Sequence, residues 1–314
     1  MVHDFLYHLQ SSKRYVHSPL LDTTALGTET DSDLPIDFWE WNLNTSQQHI
    51  QNLIIQAFEE YLTKTATITF TAGTNEYTLP TDLIKVKLME RTDVDTDRMM
   101  YPIDINKKFQ FTSDMADYTR EYYAFWGNNV YILPDPASST ATAQIWYIKK
   151  MVDLSYGTGT SSDDNLLTLA ATPDFGETSA ADDYYNGAKV YIVSATTGAG
   201  QTATVTDYVG ATRVCTLDAL TQPTGTIVYS FLSEIPSEHD MILPVRAAIV
   251  AKIKDNEDPA GLASLYEEYR SGLVVGLENR QVQDAGRMEC DIDTDYYGRK
   301  IGYTVYPVSL DYGH

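Results

Sequence analysis

Two runs of alternating aspartates, Asp93-Val94-Asp95-Thr96-Asp97 and Asp291-Ile292-Asp293-Thr294-Asp295, come nearest to a spacing that does chemistry. Carboxylates at the first, third and fifth places of a loop are how an EF-hand begins to hold calcium. That loop also needs Gly at its sixth place for a sharp turn and Glu at its twelfth as a bidentate ligand. Those places hold Arg98 and Asp104 in the first run, and Tyr296 and Gly302 in the second. Both runs therefore read as solvated loops. His3, His8 and His17 match no metal-ligand spacing, and Cys215 and Cys290 are too few and too far apart for a disulfide framework or a structural zinc site. Gly198-Ala199-Gly200-Gln201-Thr202-Ala203 fits a relaxed dinucleotide fingerprint by letter. The fingerprint requires a helix to start there, and β-branched alternation follows instead, so a turn between strands is predicted. His-Glu-x-x-His, Gly-x-Ser-x-Gly, P-loop and Cys-x-x-Cys motifs are absent from the sequence. His49 and His239 fall on helix surfaces or starts. With 44 acidic residues, any two could be nominated as a glycosidase pair, so their abundance is no signal. The sequence points away from an enzyme, and no cofactor or metal is expected.

The elements that would position these residues alternate between helix and strand. Residues 1–34 are polar and read as an arm that orders only against a partner. Thr45 or Ser46 is expected to cap a helix with Ile50, Leu53, Ile54, Ala57, Phe58, Tyr61 and Leu62 on its apolar face. Gln47, Gln51, Glu59 and Glu60 fall on the other face. Residues 65–70 alternate as a strand, 72–75 carry turn chemistry, and Tyr77 and Leu79 resume the alternation, so a hairpin ended by Pro80 is predicted. Strands follow at 83–88, 130–133 and 143–147, the turn Pro134-Asp135-Pro136 joining the last two. These make a small antiparallel sheet with helices packed on one face. Residues 155–162 are rich in Gly, Ser and Thr, a linker composition. From there to Phe231 the only basic residues are Lys189 and Arg213, and the strands expected lie at 190–192, 201–208, 212–217 and 226–231. Ser237 with Asp240, then Asp258-Pro259, mark two more helix starts, and Pro244 must kink the first of these helices or sit in its first turn. The second carries Leu262, Leu265, Tyr266, Tyr269, Leu273 and Leu277.

Charge bounds the partners. The formal net charge is −22 and the isoelectric point about 4.4, which argues against reading nucleic-acid grooves, a task that needs a basic footprint. An acidic wall does suit a conduit through which DNA passes without sticking. No apolar run approaches the roughly 20 residues of a membrane span, and the N-terminus lacks the apolar core of a signal peptide, so synthesis in a cytoplasm is expected. The 23 tyrosines supply contact area with a polar tip, which interfaces favour.

One succession of phrases carries a resemblance: Tyr77-x-Leu79-Pro80-x-Asp82 after an amphipathic helix, then Trp126-Gly127 to Pro136, then Gln144-Ile145-Trp146-Tyr147. In that order they resemble the head–tail connector, or adaptor, proteins of short-tailed bacteriophages, over residues 45–150 and 234–280. A second set, Tyr184-Tyr185-x-Gly187, Gly198-x-Gly200-Gln201 and Asp207-Tyr208-x-Gly210-Ala211-Thr212-Arg213, is similar to a β-module recurring among phage virion proteins.

The expected class is α+β: helices around a small antiparallel sheet, with an inserted all-β module. The expected divisions are an arm (1–34), a connector core (35–154), the inserted module (155–233), the core helices (234–283) and an extended tail (284–314). The resemblance implies a structural virion protein at the head–tail junction. It would form a ring of about twelve copies joining the portal to tail nozzle or tube proteins, with DNA passing through unbound and no membrane involved. It also implies that the C-terminal segment reaches a partner, so Tyr296, Tyr297, Tyr303, Tyr306 and Tyr312 become candidate partner-binding residues; a strap over the chain's own core is the other reading. The alternative function is a tail or fibre protein binding host glycans through the module, with Tyr184, Tyr185 and Tyr208 as its only candidate aromatic platform.

Overall fold

A computed structural model describes residues 3–16, 34–92, 98–106, 121–134, 136, 141–161, 163, 165–218 and 220–280. The first of these depart from the arm expected over 1–34. Phe5–Tyr15 form α1, capped by Asp4, whose carboxylate accepts from the Tyr7 amide at 2.9 Å. Lys13 and Arg14 in its last turn suit the helix dipole. Phe5, Leu6 and Leu9 are buried, and His8, Ser12 and Lys13 share that side. Those polar neighbours hide the helical period in the sequence.

The next helix, α2, spans Ile36–Phe58, starting at Pro35 and well before the expected cap at Thr45 or Ser46. Its buried stripe runs Trp39, Asn42, Leu43, Ser46, Gln47, Ile50, Gln51, Ile54. Gln47 and Gln51, expected outward, face inward. After a 3-10 turn at Glu59–Leu62 and the strands, α3 (Ile242–Lys254) and α4 (Ala260–Glu278) close the described chain. Pro244 sits in the first turn of α3, where a missing amide hydrogen costs nothing. Asp258 opens α4, its Oδ1 accepting from the Ala260 amide at 2.9 Å. The four helices share one core, with Phe5, Trp39, Leu43, Ile50, Ile242, Val245, Leu273 and Leu277 among its residues.

Between α2 and α3 the chain builds three sheets among the described residues. β1 (Thr63–Thr69), β3 (Leu83–Arg91), β4 (Arg98–Met99) and β8 (Thr142–Lys149) form one, in the order β1-β8-β3-β4. β2 (Glu76–Thr78), β5 (Tyr101–Pro102), β6 (Tyr122–Trp126) and β7 (Asn129–Leu133) form the second, in the order β2-β7-β6-β5, with β5 and β6 parallel. Phe70, Met89, Val130, Ile132, Ile145 and Tyr147 belong to the core the two sheets share. The sequence placed β1, β3, β7 and β8 well, but their partners differ from those expected. β1 and β2 are not a hairpin: one pairs with β8, the other with β7. Tyr77 explains the crossing, since its hydroxyl accepts from the Thr71 amide at 2.9 Å and donates to the Thr74 carbonyl at 2.7 Å. Those bonds pin a loop that carries the chain from one sheet to the other.

The third sheet takes all its strands from residues 156–231. They are β9 (Tyr156–Gly159), β10 (Leu166–Thr168), β11 (Lys189–Ser194), β12 (Thr202–Val209), β13 (Val214–Leu217) and β14 (Ile227–Phe231), in the order β10-β13-β12-β11-β14-β9. β9 overturns the linker reading of 155–162. A Cβ on Gly157 would lie 2.9 Å from Pro173 Cβ, and one on Gly159 only 2.6 Å from the Thr168 carbonyl oxygen. Glycine is there for close packing, not for flexibility. The class is α+β with an all-β region. The helices pack on one another and on this β-module: Phe5 and Phe175 rings lie 4.3 Å apart, and the Phe5 amide donates to Ser230 Oγ at 3.1 Å.

Candidate functional site

Helices, sandwich and β-module meet at a joint made from side-chain amides. Residues 151–154 link β8 to β9 beside α2, and Asn44, Gln47 and Gln51 stand at i, i+3 and i+7 on that helix, on one side of it. Gln51 Oε1 accepts from the Met151 amide at 2.9 Å, and Gln47 Nε2 donates to the Val152 carbonyl at 2.8 Å. Asn44 bonds Leu154 both ways, accepting its amide at 2.8 Å and donating to its carbonyl at 3.4 Å. Asn42, further round, donates to the Ala247 carbonyl of α3 at 2.7 Å. An irregular segment at this depth would otherwise leave backbone polar groups unpaired. The amides supply what a neighbouring strand would, and this is why residues that hydropathy assigns to water are buried.

The phrases that carried the resemblance also converge. Asp82, which closes Tyr77-x-Leu79-Pro80-x-Asp82, is buried; its Oδ1 accepts from the Tyr147 hydroxyl at 2.8 Å and its Oδ2 from Lys64 Nζ at 3.0 Å. Burial, and then the Asp82 carboxylate, push the Tyr147 hydroxyl far above its ordinary value, so it stays a neutral donor. A single carboxylate thus ties β1, the start of β3 and β8 together.

Beside the joint opens a cleft of about 620 Å³ where α4 ends. Three polar pairs line it: Lys149 with Glu234, Arg280 with Glu238, and His3 with Asp240. Glu234 accepts from the Val152 amide at 3.3 Å, while the Tyr61 hydroxyl donates to the Glu234 carbonyl at 3.2 Å. The Arg280 guanidinium lies 5.8 Å from the Tyr61 ring centre, and His3 stacks on Tyr7 at 3.9 Å. Burial raises the Asp240 carboxyl and the His3 hydrogen bond opposes it; its own backbone amide, and also Arg280, lower Glu238. Ion pairs that brace converging segments do mechanical work. Among the described residues no group of three His, Cys, Asp or Glu is placed to hold a metal.

Tyr296, Tyr297, Tyr303, Tyr306 and Tyr312 lie outside the described residues, as do His17, Cys290 and both aspartate runs. Tyr185 and Tyr208 are buried within the β-module, so they are not an exposed platform. Tyr185 stacks on Phe231 at 4.5 Å and takes the Ser179 amide at 3.1 Å, and the Tyr208 hydroxyl donates to the Ser179 carbonyl. Tyr184 is half-buried, with its hydroxyl 3.3 Å from Asp153. The glycan reading loses the aromatic surface on which it rested. Cys215 is buried, its thiol pushed up to about 12 by burial, hence unreactive. Gly198 and Gly200 sit at φ +79° and +83° in the turn before β12, as the strand-joining reading required. Gly276 leaves room for His239, whose Nε2 would lie 2.5 Å from a Cβ there. Exposed aromatics escaped the sequence reading. Trp126, beside the β6–β7 turn, is 63% exposed and Trp41 on α2 57%; their only signal was residue type.

A family model for the SU10 adaptor protein matches residues 21–199, more than half of the chain. The chain belongs to the SU10 adaptor protein family. Membership agrees with the resemblance to phage head–tail adaptors and marks a phage structural adaptor. The matched span takes in α2, both sandwich sheets and the amide joint, and it runs on through β11. The adaptor match therefore includes the first half of the β-module, beyond the 45–150 expected from the phrases. No curated protein matches the chain. Among the described residues no helix is long and apolar enough to cross a membrane.

Proposed function

We propose that this adaptor is a structural, non-catalytic part of the virion that joins the portal to the tail as a ring of about twelve copies and surrounds part of the DNA path. Family membership is the observation that carries this reading, and the physical features agree with it. A net charge of −22 repels phosphate, as a conduit wall should. The braced joint holds helices, sandwich and β-module as one body, which suits a part that bears load. Buried area repeated by symmetry turns weak single contacts into a persistent union. Tyr296, Tyr297, Tyr303, Tyr306 and Tyr312 are the proposed partner-binding residues. The function is tested by co-expressing the chain with its phage's portal protein and weighing the product by native mass spectrometry. A portal carrying a closed set of adaptor copies is expected. A portal that never retains the chain would overturn the reading.

A further inference from the structure

β1 is the edge of its sheet, paired on one flank with β8. The Phe70 amide donates to the Ala141 carbonyl at 2.8 Å, and the register continues without a shift from Thr69↔Thr142 back to Thr63↔Ile148. Antiparallel pairs alternate, so Lys64, Ala66 and Ile68 use their backbone groups on β8. The amides and carbonyls of Thr63, Thr65, Thr67 and Thr69 then point away from the sheet. The Thr63 amide turns back to the Glu60 carbonyl and closes the 3-10 turn; among the described residues nothing bonds the outward backbone groups of Thr65, Thr67 and Thr69, which are exposed. Edge strands are ordinarily shielded by a bulge, a proline or an outward lysine. β1 has no bulge and no proline, and its one lysine, Lys64, is tied to Asp82. Ala66 of β1 and Tyr77 of β2 are only partly covered where they pack on the sandwich core.

We propose that this edge takes a strand from the C-terminal segment of a neighbouring copy, Ile301-Gly302-Tyr303-Thr304-Val305. The inference rests on the ring reading above and names one of its contacts. Ile301, Tyr303 and Val305 alternate on one side, fit to cover Ala66 and Tyr77, while Thr304 and Tyr306 fall on the other side with Thr65 and Thr67. Pro307 bounds the segment, since it cannot extend a ladder. The described chain ends at Arg280, over the ring of Tyr61, close to where β1 begins. A strand returning to its own β1 would leave residues 281–300 as a loop across a short gap, and loops beyond about 12–15 residues are uncommon within a compact domain. Extended, the same residues reach about 70 Å, far enough to cross to the next copy. A copy that gives one strand and accepts another makes a head-to-tail contact, the kind that closes rings.

The test uses virions assembled with the full chain carrying Cys290→Ser and Thr67→Cys, together with Thr304→Cys or Tyr306→Cys. Tyr303→Cys, on the other side of the strand, is the control. Oxidation is expected to give a ladder of disulfide-linked dimers and larger species with Thr304→Cys or Tyr306→Cys, and little with Tyr303→Cys. Cross-links within single chains would overturn the neighbour as donor. Normal adaptor occupancy with no cross-link would overturn the docking yet leave the ring reading standing. Absence of the Cys290→Ser parent from the head–tail junction would sink both. Thr67→Pro is the second variant, removing one outward amide and none of the bonds to β8. A monomer melting within a few degrees of the parent, with at least tenfold weaker association between copies, is expected; unchanged association would refute the proposal.

Discussion

His8 is fully buried in α1, and neither ring nitrogen has a hydrogen-bond partner. Burial, with the nearby His3 adding to it, lowers its pKa to about 3. A histidine held neutral in the fold binds its proton only when unfolded, so its contribution to stability is intact above about pH 6.5 and is lost as pH falls from there toward 3. By pH 4.5 the cost is on the order of 2–3 kcal/mol. Asp4 and Asp240, whose carboxyls burial raises, act in the opposite direction, so the comparison must be between variants. His8→Leu is expected to flatten the fall in stability between pH 7 and 4.5, measured by denaturant unfolding at each pH. An unchanged slope would mean that His8 is charged in the fold. The amides of α2 make a second test: Gln51→Leu keeps the volume but strands the Met151 amide, and should cost about 1–3 kcal/mol. These roles were not legible in the sequence. Hydropathy sends His8, Gln47 and Gln51 to water, and the backbone groups that need Gln47 and Gln51 come from a hundred residues or more further on.

Strands with alternating, β-branched residues were legible at this scale of element, and so were α4 and the turn at Gly198–Gly200; Pro244 took one of the two places the sequence allowed it, the first turn. Their partners were not, because pairing depends on contacts far away in sequence; β1 and β2 look like a hairpin until Tyr77 pins the crossing. β6 was missed between the strands expected at 83–88 and 130–133, and β9 inside what reads as a linker. Gly159→Ala separates linker from packed strand. A linker would accept it, whereas a Cβ 2.6 Å from the Thr168 carbonyl is expected to cost about 1–3 kcal/mol by thermal or urea melting. The β-module likewise reads as an insertion, yet Tyr156 and Phe175 belong to the helical core. Deleting residues 156–231 should lower the melting of that core on the order of 10 °C. An unchanged melting temperature would show that the helices do not lean on the module.

For the whole molecule, class and family were legible because ordered phrases survive where single motifs are weak. Asp82 and Tyr147, distant in sequence, meet in one hydrogen bond. Charge makes its own prediction: the free protein should show no measurable affinity for duplex DNA at physiological salt, and tight binding that weakens steeply with salt would reveal a basic face. The central claim is about position and symmetry, and imaging the purified virion by electron cryomicroscopy, with the head–tail junction reconstructed by itself, tests it most directly. A closed ring of this chain between portal and tail, its acidic surface toward the DNA path, is the expected result. Copies on fibres or on the capsid shell, with none at the junction, would contradict the account.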